Sequence, residues 1–255
     1  MLERHPDTPV LDYDTSPFSA FQTDRGQDLP ASCLITSFGD VLQSWITEFG
    51  GKERMRFSTE MRDFPVYTVT HRDRTLALTQ LCEGAGMAAL QTEFLISRGV
   101  KTILLADSCG ALVPGQENGL YLPGKALRDE GVSYKYLPAA PFAEFSDDLI
   151  RIGRAVLSGN ETEFTDGPAW TNEALFRITR EELADRLERG CVLTDRCSAS
   201  LGAVTRFRGA RFAPLFCAGY TLGQGFSDEE PEDSRVKTFC LALDILARAD
   251  GEEDL

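Results

Sequence analysis

The run Gly99-Val-Lys-Thr-Ile-Leu-Leu-Ala-Asp-Ser-Cys-Gly-Ala-Leu112 constrains this chain more than any other stretch. Thr102 to Ala106 is apolar and β-rich without polar alternation, so a strand here needs cover on both faces. It then gives way to Ser108, Cys109 and Gly110, small residues that let backbone approach a ligand. A buried parallel strand that ends at Ala106 in a binding loop reads this way. So does a core strand followed by an ordinary turn.

The flanking segments supply the layers that such a strand requires. Cys33-Leu-Ile-Thr36 reads as a first strand leading into a helix from about Val41 to Phe49. Phe64 to His71 and Thr75 to Gln80 alternate and read as a hairpin. Cys82-Glu-Gly-Ala-Gly-Met-Ala-Ala-Leu90 is a glycine-rich turn opening a helix that runs to about Ser97; its free amides suit an anionic or polyhydroxylated ligand. Beyond Pro138 the pattern predicts helices over Phe142–Leu157, Arg180–Glu188, Ser198–Phe207 and Ser234–Arg248, with strands at Gly190–Thr194 and Ala210–Gly219. The last helix offers Phe239, Leu241, Leu243, Ile245 and Leu246 to the sheet. Alternation of this kind indicates an α/β sandwich around a mixed sheet, formed by one domain over residues 31–255. Residues 1–30, rich in Pro, Asp, Ser and Thr, read as a partly ordered arm. Ser227-Asp-Glu-Glu-Pro-Glu-Asp233 reads as a solvated acidic loop.

Composition excludes some functions. A net charge of -14 argues against nucleic-acid and anionic-membrane partners. The seven cysteines, at 33, 82, 109, 191, 197, 217 and 240, have no CxxC spacing, which argues against a disulfide framework and against a metal site. Reduced thiols in a cytoplasmic protein are the expectation. The start of the chain carries no apolar leader, and no run approaches a membrane span.

Joined to Tyr121-Leu-Pro-Gly-Lys-Ala-Leu-Arg-Asp-Glu-Gly-Val-Ser-Tyr-Lys-Tyr-Leu-Pro138, the Gly99–Leu112 run resembles the nucleoside phosphorylase family, which includes purine nucleoside and uridine phosphorylases. The resemblance extends from about Cys33 to Ala247 and is strongest from Gly99 to Pro138. It implies a three-layer α/β/α sandwich around a mixed, partly barrel-like sheet, and a homodimer or a hexamer of dimers. It also implies action on the N-glycosidic bond of a nucleoside or nucleobase compound, without metal or organic cofactor.

The same resemblance assigns site positions. Gly39 and Asp40 match a phosphate-holding pair, though Gln43 stands where an arginine is expected. Gly84 and Gly86 match the glycine-rich turn. Trp170, Asn172, Glu173, Phe176 and Arg177 fall in the segment that frames the base, where a core role for Trp170 and Phe176 competes evenly with base contact. Three expected functional groups are changed. The Met-Glu pair that grips ribose is Arg196-Cys197, preceded by Asp195; the acid of the purine branch is Tyr220; the phosphate arginine is Leu105, in the register Leu105-Ala-Asp-Ser-Cys-Gly110. Asp107 adds negative charge where a dianion would sit, so phosphate is the ligand least expected to survive.

Two readings follow. In one, a divergent enzyme uses Asp195, Glu173 and Tyr220 as rearranged catalytic groups, with Ser108, Cys109, Gly110, Arg196 and Cys197 against substrate and water as plausible a nucleophile as phosphate. In the other, a catalytically silent relative binds a nucleoside-like ligand or serves as an oligomer subunit, its pocket filled by Arg196 and Tyr220. Asp195 reads more readily as a helix cap than as a catalytic group. Dinucleotide binding is disfavoured, since no GxGxxG follows a strand.

Overall fold

A computed structural model describes residues 29–113, 119–222 and 232–252. Nearly all of the predicted arm and most of the predicted acidic loop lie outside them. The chain enters through β1 (Ser32–Thr36), whose five residues are all buried, and turns into α1 (Gly39–Phe49). Three antiparallel strands follow: β2 (Lys52–Ser58), β3 (Asp63–His71) and β4 (Arg74–Gln80). The β3–β4 hairpin closes on two residues, Arg72 and Asp73, both at positive φ (49° and 61°). That mirror-type turn matches the right-handed strand twist. The pattern did not single out β2, because it is a mostly exposed edge strand without an apolar face.

After α2 (Ala85–Ser97) comes β5 (Thr102–Ala111), then β6 (Leu120–Tyr121), β7 (Lys125–Asp129) and β8 (Phe142–Glu144). Helix α3 (Asp147–Gly159), β9 (Ala169–Asn172), α4 (Arg180–Glu188), β10 (Leu193–Asp195), α5 (Ser198–Arg208), β11 (Arg211–Thr221) and α6 (Glu232–Glu252) complete the order. Two expectations need correcting. The helix placed over Phe142–Leu157 is a short strand and a later helix: Phe142 to Glu144 pair with β7, and Asp147 and Asp148 begin α3 in its first turn, where acidic side chains face the positive end of the helix dipole. And β5 does not stop at Ala106 but runs to Ala111, because long-range pairing overrides the loop-like character of Asp107 to Gly110.

The sheet runs β2-β3-β4-β1-β5-β10-β9-β7-β8, with β11 on the other side of β5 and β6 beyond it. One face is covered by α1, α3 and α6, whose Val41, Ile46, Leu149, Ile152, Phe239, Leu243 and Leu246 pack with Leu34, Leu104 and Leu215 of the strands. The other face is covered by α2 and α5, through Ala88, Leu95, Ala199 and Leu201 against Ile35, Ile103 and Phe212. This is the expected three-layer arrangement. Each fully buried large side chain contributes roughly 1.5–3 kcal/mol.

Strand β5 places the site. Along one edge it pairs with β11 over its whole length. Along the other it pairs in parallel with β1 only to Ala106 and antiparallel with β10 only from Gly110. Asp107, Ser108 and Cys109 therefore have no strand on that edge. This gap between two diverging partners, at the carboxyl ends of parallel strands, is where open α/β sheets admit ligands.

Candidate active site

Two helices begin beside this gap. The turn before α2 is held by Gln91, a fully buried side chain that accepts from the Cys82 N–H at 2.8 Å and donates to the Gln80 carbonyl at 2.7 Å. Gly84 then adopts φ 87°, a conformation that side chains resist, and so points the first amides of α2 outward. The Ala85 N–H meets Glu173 Oε1 at 2.6 Å. Gly86 has open space around its Cα, so nothing steric requires glycine there.

Asp195, at the end of β10, caps the second helix. Its Oδ1 accepts from the amides of Cys197 and Ser198, both at 2.7 Å, and its Oδ2 accepts from Ser198 Oγ at 2.6 Å and Thr171 Oγ1 at 3.1 Å. Burial pushes the Asp195 carboxyl up, against the pull of these donors. The capping expectation holds in full. Its second observation is a tether: Thr171 also takes the Ala199 N–H at 3.0 Å. The segment from Thr171 to Glu173 thus touches the starts of both α2 and α5.

Near the start of α5 lies Asp107, only 6% exposed, within reach of the charges of Asp195 and Arg196. Its Oδ1 accepts the N–H of Ser108 at 2.8 Å. Burial, reinforced by the charge of Asp195, pushes the Asp107 carboxyl up to about 7; Ser37, the Ser108 amide and Arg196 oppose the rise. No ion pair engages it among the described residues. Cys197 lies in the same buried group, its thiol raised well above the usual range by burial and by the charges of Asp107 and Asp195. A thiol so disfavoured as thiolate is a poor nucleophile.

Arg196 sits at the mouth rather than inside: its side chain is 46% exposed and meets Glu83 at 2.9 Å. The expectation that it fills the pocket is not met. Tyr220 does come inward. A bulge between Ala218 and Tyr220 shifts the register of β11, and the Tyr220 ring lies where a Gly110 side chain would be, 2.6–2.8 Å from an ideal Cβ. Gly110 is therefore required by close approach. Burial, then the neighbouring Cys109 and acidic groups, push the Tyr220 hydroxyl up to about 12, which makes it a weaker acid than in water. Cys109 is buried and Ser108 partly exposed.

The remaining assigned positions divide. Asp40 is committed to Arg235 of α6, at 2.8 and 3.0 Å. Partial burial raises its carboxyl, but Arg235 and backbone amides outweigh that and hold it below the usual range. Gly39 lies against the Gln80 side chain. Trp170 is fully buried with Leu112, Leu127 and Cys191, and donates from Nε1 to Asp129 at 2.9 Å, a core role. Asn172 is buried and accepts the Ala174 N–H at 2.7 Å, turning the chain after β9. Phe176 is 92% exposed, and Arg177 is exposed beside it.

Sequence reading missed the scaffold inside Arg128-Asp-Glu130. Arg128 is buried; it donates to Ser133 Oγ and to the carbonyls of Leu137, Pro138 and Ala140, and its guanidinium lies 4.0 Å from the Tyr134 ring centre. Glu130 accepts from the amides of Val132 and Ser133 and from Ser200 Oγ of α5. An Arg and a Glu that brace a loop carry no sequence signal beyond their proximity. Among the described residues no group of three or more potential ligands is placed to hold a metal ion, and no helix is long and apolar enough to cross a membrane.

Comparison with known proteins agrees with this geometry. The chain is 24% identical over 185 residues to a guanosine phosphorylase of Halorubrum lacusprofundi, covering 68% of this chain and 75% of that protein. Its structure is similar to uridine phosphorylase of Vibrio fischeri, with a TM-score of 0.73 at 19% identity, over 89% of this chain and 100% of the other. It is also similar to AMP nucleosidase of Bacteroides thetaiotaomicron, with a TM-score of 0.72 at 18% identity, over 89% and 92% of the two chains. The fold is thus of nucleoside phosphorylase type. The sequence model of the phosphorylase superfamily matches residues 38–243, from the start of α1 into α6, and with the whole of the gap in β5 inside that span the chain belongs to this family.

Proposed function

We propose that this chain binds a nucleoside or related ribosyl compound in the gap along β5 and acts on its N-glycosidic bond. The observation that carries the reading is the stretch of β5 that neither β1 nor β10 covers, Asp107 to Cys109, with the capped start of α5 near Asp107 and the start of α2 tied through Glu173 to the same segment after β9 that holds α5. Guanosine, uridine and AMP, named in its relatives, share a ribose bonded to a base nitrogen. Breaking that bond builds positive charge on the ribose, which a carboxylate-lined opening stabilises. Phe176, exposed on the segment after β9, supplies an aromatic face for the base.

A second reading draws on the same structure. Asp195 and Glu173 are engaged as helix caps, and by the family resemblance Cys197 stands where a ribose glutamate is expected, so a relative that binds without turnover also fits. Thermal melts with nucleosides, free bases, ribose 1-phosphate and phosphate test the shared claim. A ligand at a hundredfold excess over its Kd stabilises the folded chain by roughly 2.7 kcal/mol. We expect a rise in Tm with a nucleoside or base; no rise with any of them sinks the ribosyl reading. Chromatography of the reaction mixture for free base then separates turnover from binding.

A further inference from the structure

We propose that Asp107 stands in place of a phosphate ion in this site, and that the chain cleaves its substrate with water, which Asp107 positions and deprotonates. The inference rests on the ribosyl reading above and adds the nucleophile.

The amides at this gap are the donors that an incoming oxyanion would use. Four of them are already taken by carboxylates of the chain itself. Ser108 N–H goes to Asp107 at 2.8 Å, Ala85 N–H to Glu173 at 2.6 Å, and the Cys197 and Ser198 amides to Asp195 at 2.7 Å. Arg196, the cation that acts on Asp107, Cys197 and Tyr220, is engaged by Glu83. A phosphate dianion would therefore enter beside Asp107, Asp195, Glu173 and Glu83 with these four amides and Arg196 already engaged. Like charges at such range in a partly buried site are strongly unfavourable. Water carries no charge into the gap and needs only an acceptor for one of its protons.

The step balances with substrate and water alone. The water oxygen bonds to the ribose anomeric carbon as the carbon–nitrogen bond breaks, and the bonding pair leaves on the base nitrogen. The water proton goes to the Asp107 carboxylate, and from there through solvent to the departing base. The products are free ribose and free base. The groups that act on Asp107 are the Ser37 hydroxyl, Asp195, the Ser108 amide and Arg196, and its own charge acts in turn on Cys197 and Tyr220. A carboxyl poised near neutrality suits such a transfer.

The test incubates the full chain with guanosine, inosine, adenosine and uridine in phosphate-free buffer and in phosphate buffer, with the sugar product identified as ribose or ribose 1-phosphate. Calorimetry measures nucleoside binding separately. The expected result is ribose as product at a rate that phosphate does not raise. Asp107→Asn should lower the rate about 10²–10⁴-fold and abolish the acidic limb of the pH–rate profile, with nucleoside Kd nearly unchanged. Asp107→Gly, which removes the carboxylate and frees the Ser108 amide, should bind inorganic phosphate more tightly than wild type. Ribose 1-phosphate formed only with phosphate present overturns the proposal, as does an Asp107→Asn variant of full activity. A nucleoside bound but not cleaved in either buffer overturns it too, while leaving the ribosyl site standing. A chain that binds none of the nucleosides overturns both.

Discussion

Replacing Asp107 by Asn separates the buried charge from the shape of the site. Asn keeps an Oδ1 acceptor for the Ser108 N–H, occupies nearly the same volume and never ionises. The wild-type carboxyl is pushed up from 3.8 to about 7, first by burial and then by Asp195. A group whose pKa is higher folded than unfolded contributes stability that is fully present below the unfolded value and is lost as pH rises through the folded one. The window here runs from about pH 4 to about pH 7. At 1.36 kcal/mol per unit, the rise from 3.8 to about 7 corresponds to a loss on the order of 4 kcal/mol. In a chain of this size that is roughly 8–16 °C in Tm. Calorimetric melts of both proteins from pH 4 to pH 8 should show Asp107→Asn gaining on wild type throughout that window and holding its advantage above it. Parallel curves with a constant offset would refute the reasoning and remove the proton acceptor from the site.

Asp195→Ala leaves two amides and two hydroxyls without their acceptor; urea unfolding should show a loss on the order of 3–5 kcal/mol, partly recovered by Asp195→Asn, and a loss below about 1 kcal/mol would contradict the capping role. Gly110→Ala drives a Cβ into the Tyr220 ring and should cost about 1–3 kcal/mol; adding Tyr220→Ala should relieve most of it, a coupling that simple additivity of the two unfolding energies would exclude. Arg128→Met strands the carbonyls of Leu137, Pro138 and Ala140 and should cost roughly 2–4 kcal/mol, with new proteolytic cleavage between residues 131 and 141. Phe176→Ser should leave Tm within the range of a surface change, about 0.5 kcal/mol, yet weaken nucleoside binding by calorimetry; unchanged affinity would remove Phe176 from the site.

What the sequence revealed was what is locally encoded. The bounds of α4 are legible because Thr179 and Glu182 form a reciprocal capping box around its first turn. Asp195 is legible as a cap for the same reason, standing just ahead of Ser198 and bonding its amide. The β3–β4 hairpin declares itself by alternation on both sides of a two-residue turn. The failures have a common cause in long-range pairing. Asp107 to Gly110 look like a loop, and only β11 and β10, a hundred or so positions away by the register of their pairing, make them strand. Phe142 has helical surroundings, yet its partner is Leu127. The bond from Ala85 to Glu173 spans 88 positions, and no local pattern announces it. For Trp170 the sequence alone supports base contact and core equally; its full burial and the indole N–H donated to Asp129 decide for core.

The gap along β5 owes its existence to the path of the backbone. β1 ends at Thr36 and the antiparallel pairing of β10 stops at Thr194, so three residues of β5 stay uncovered whatever side chains they bear. Substitution can change what the opening holds without moving it. A change at Leu105, Asp107 or Ser108 alters the chemistry of the cleft at an address already built. The inherited feature is the location, and the reaction is the part that evolution can rewrite one residue at a time.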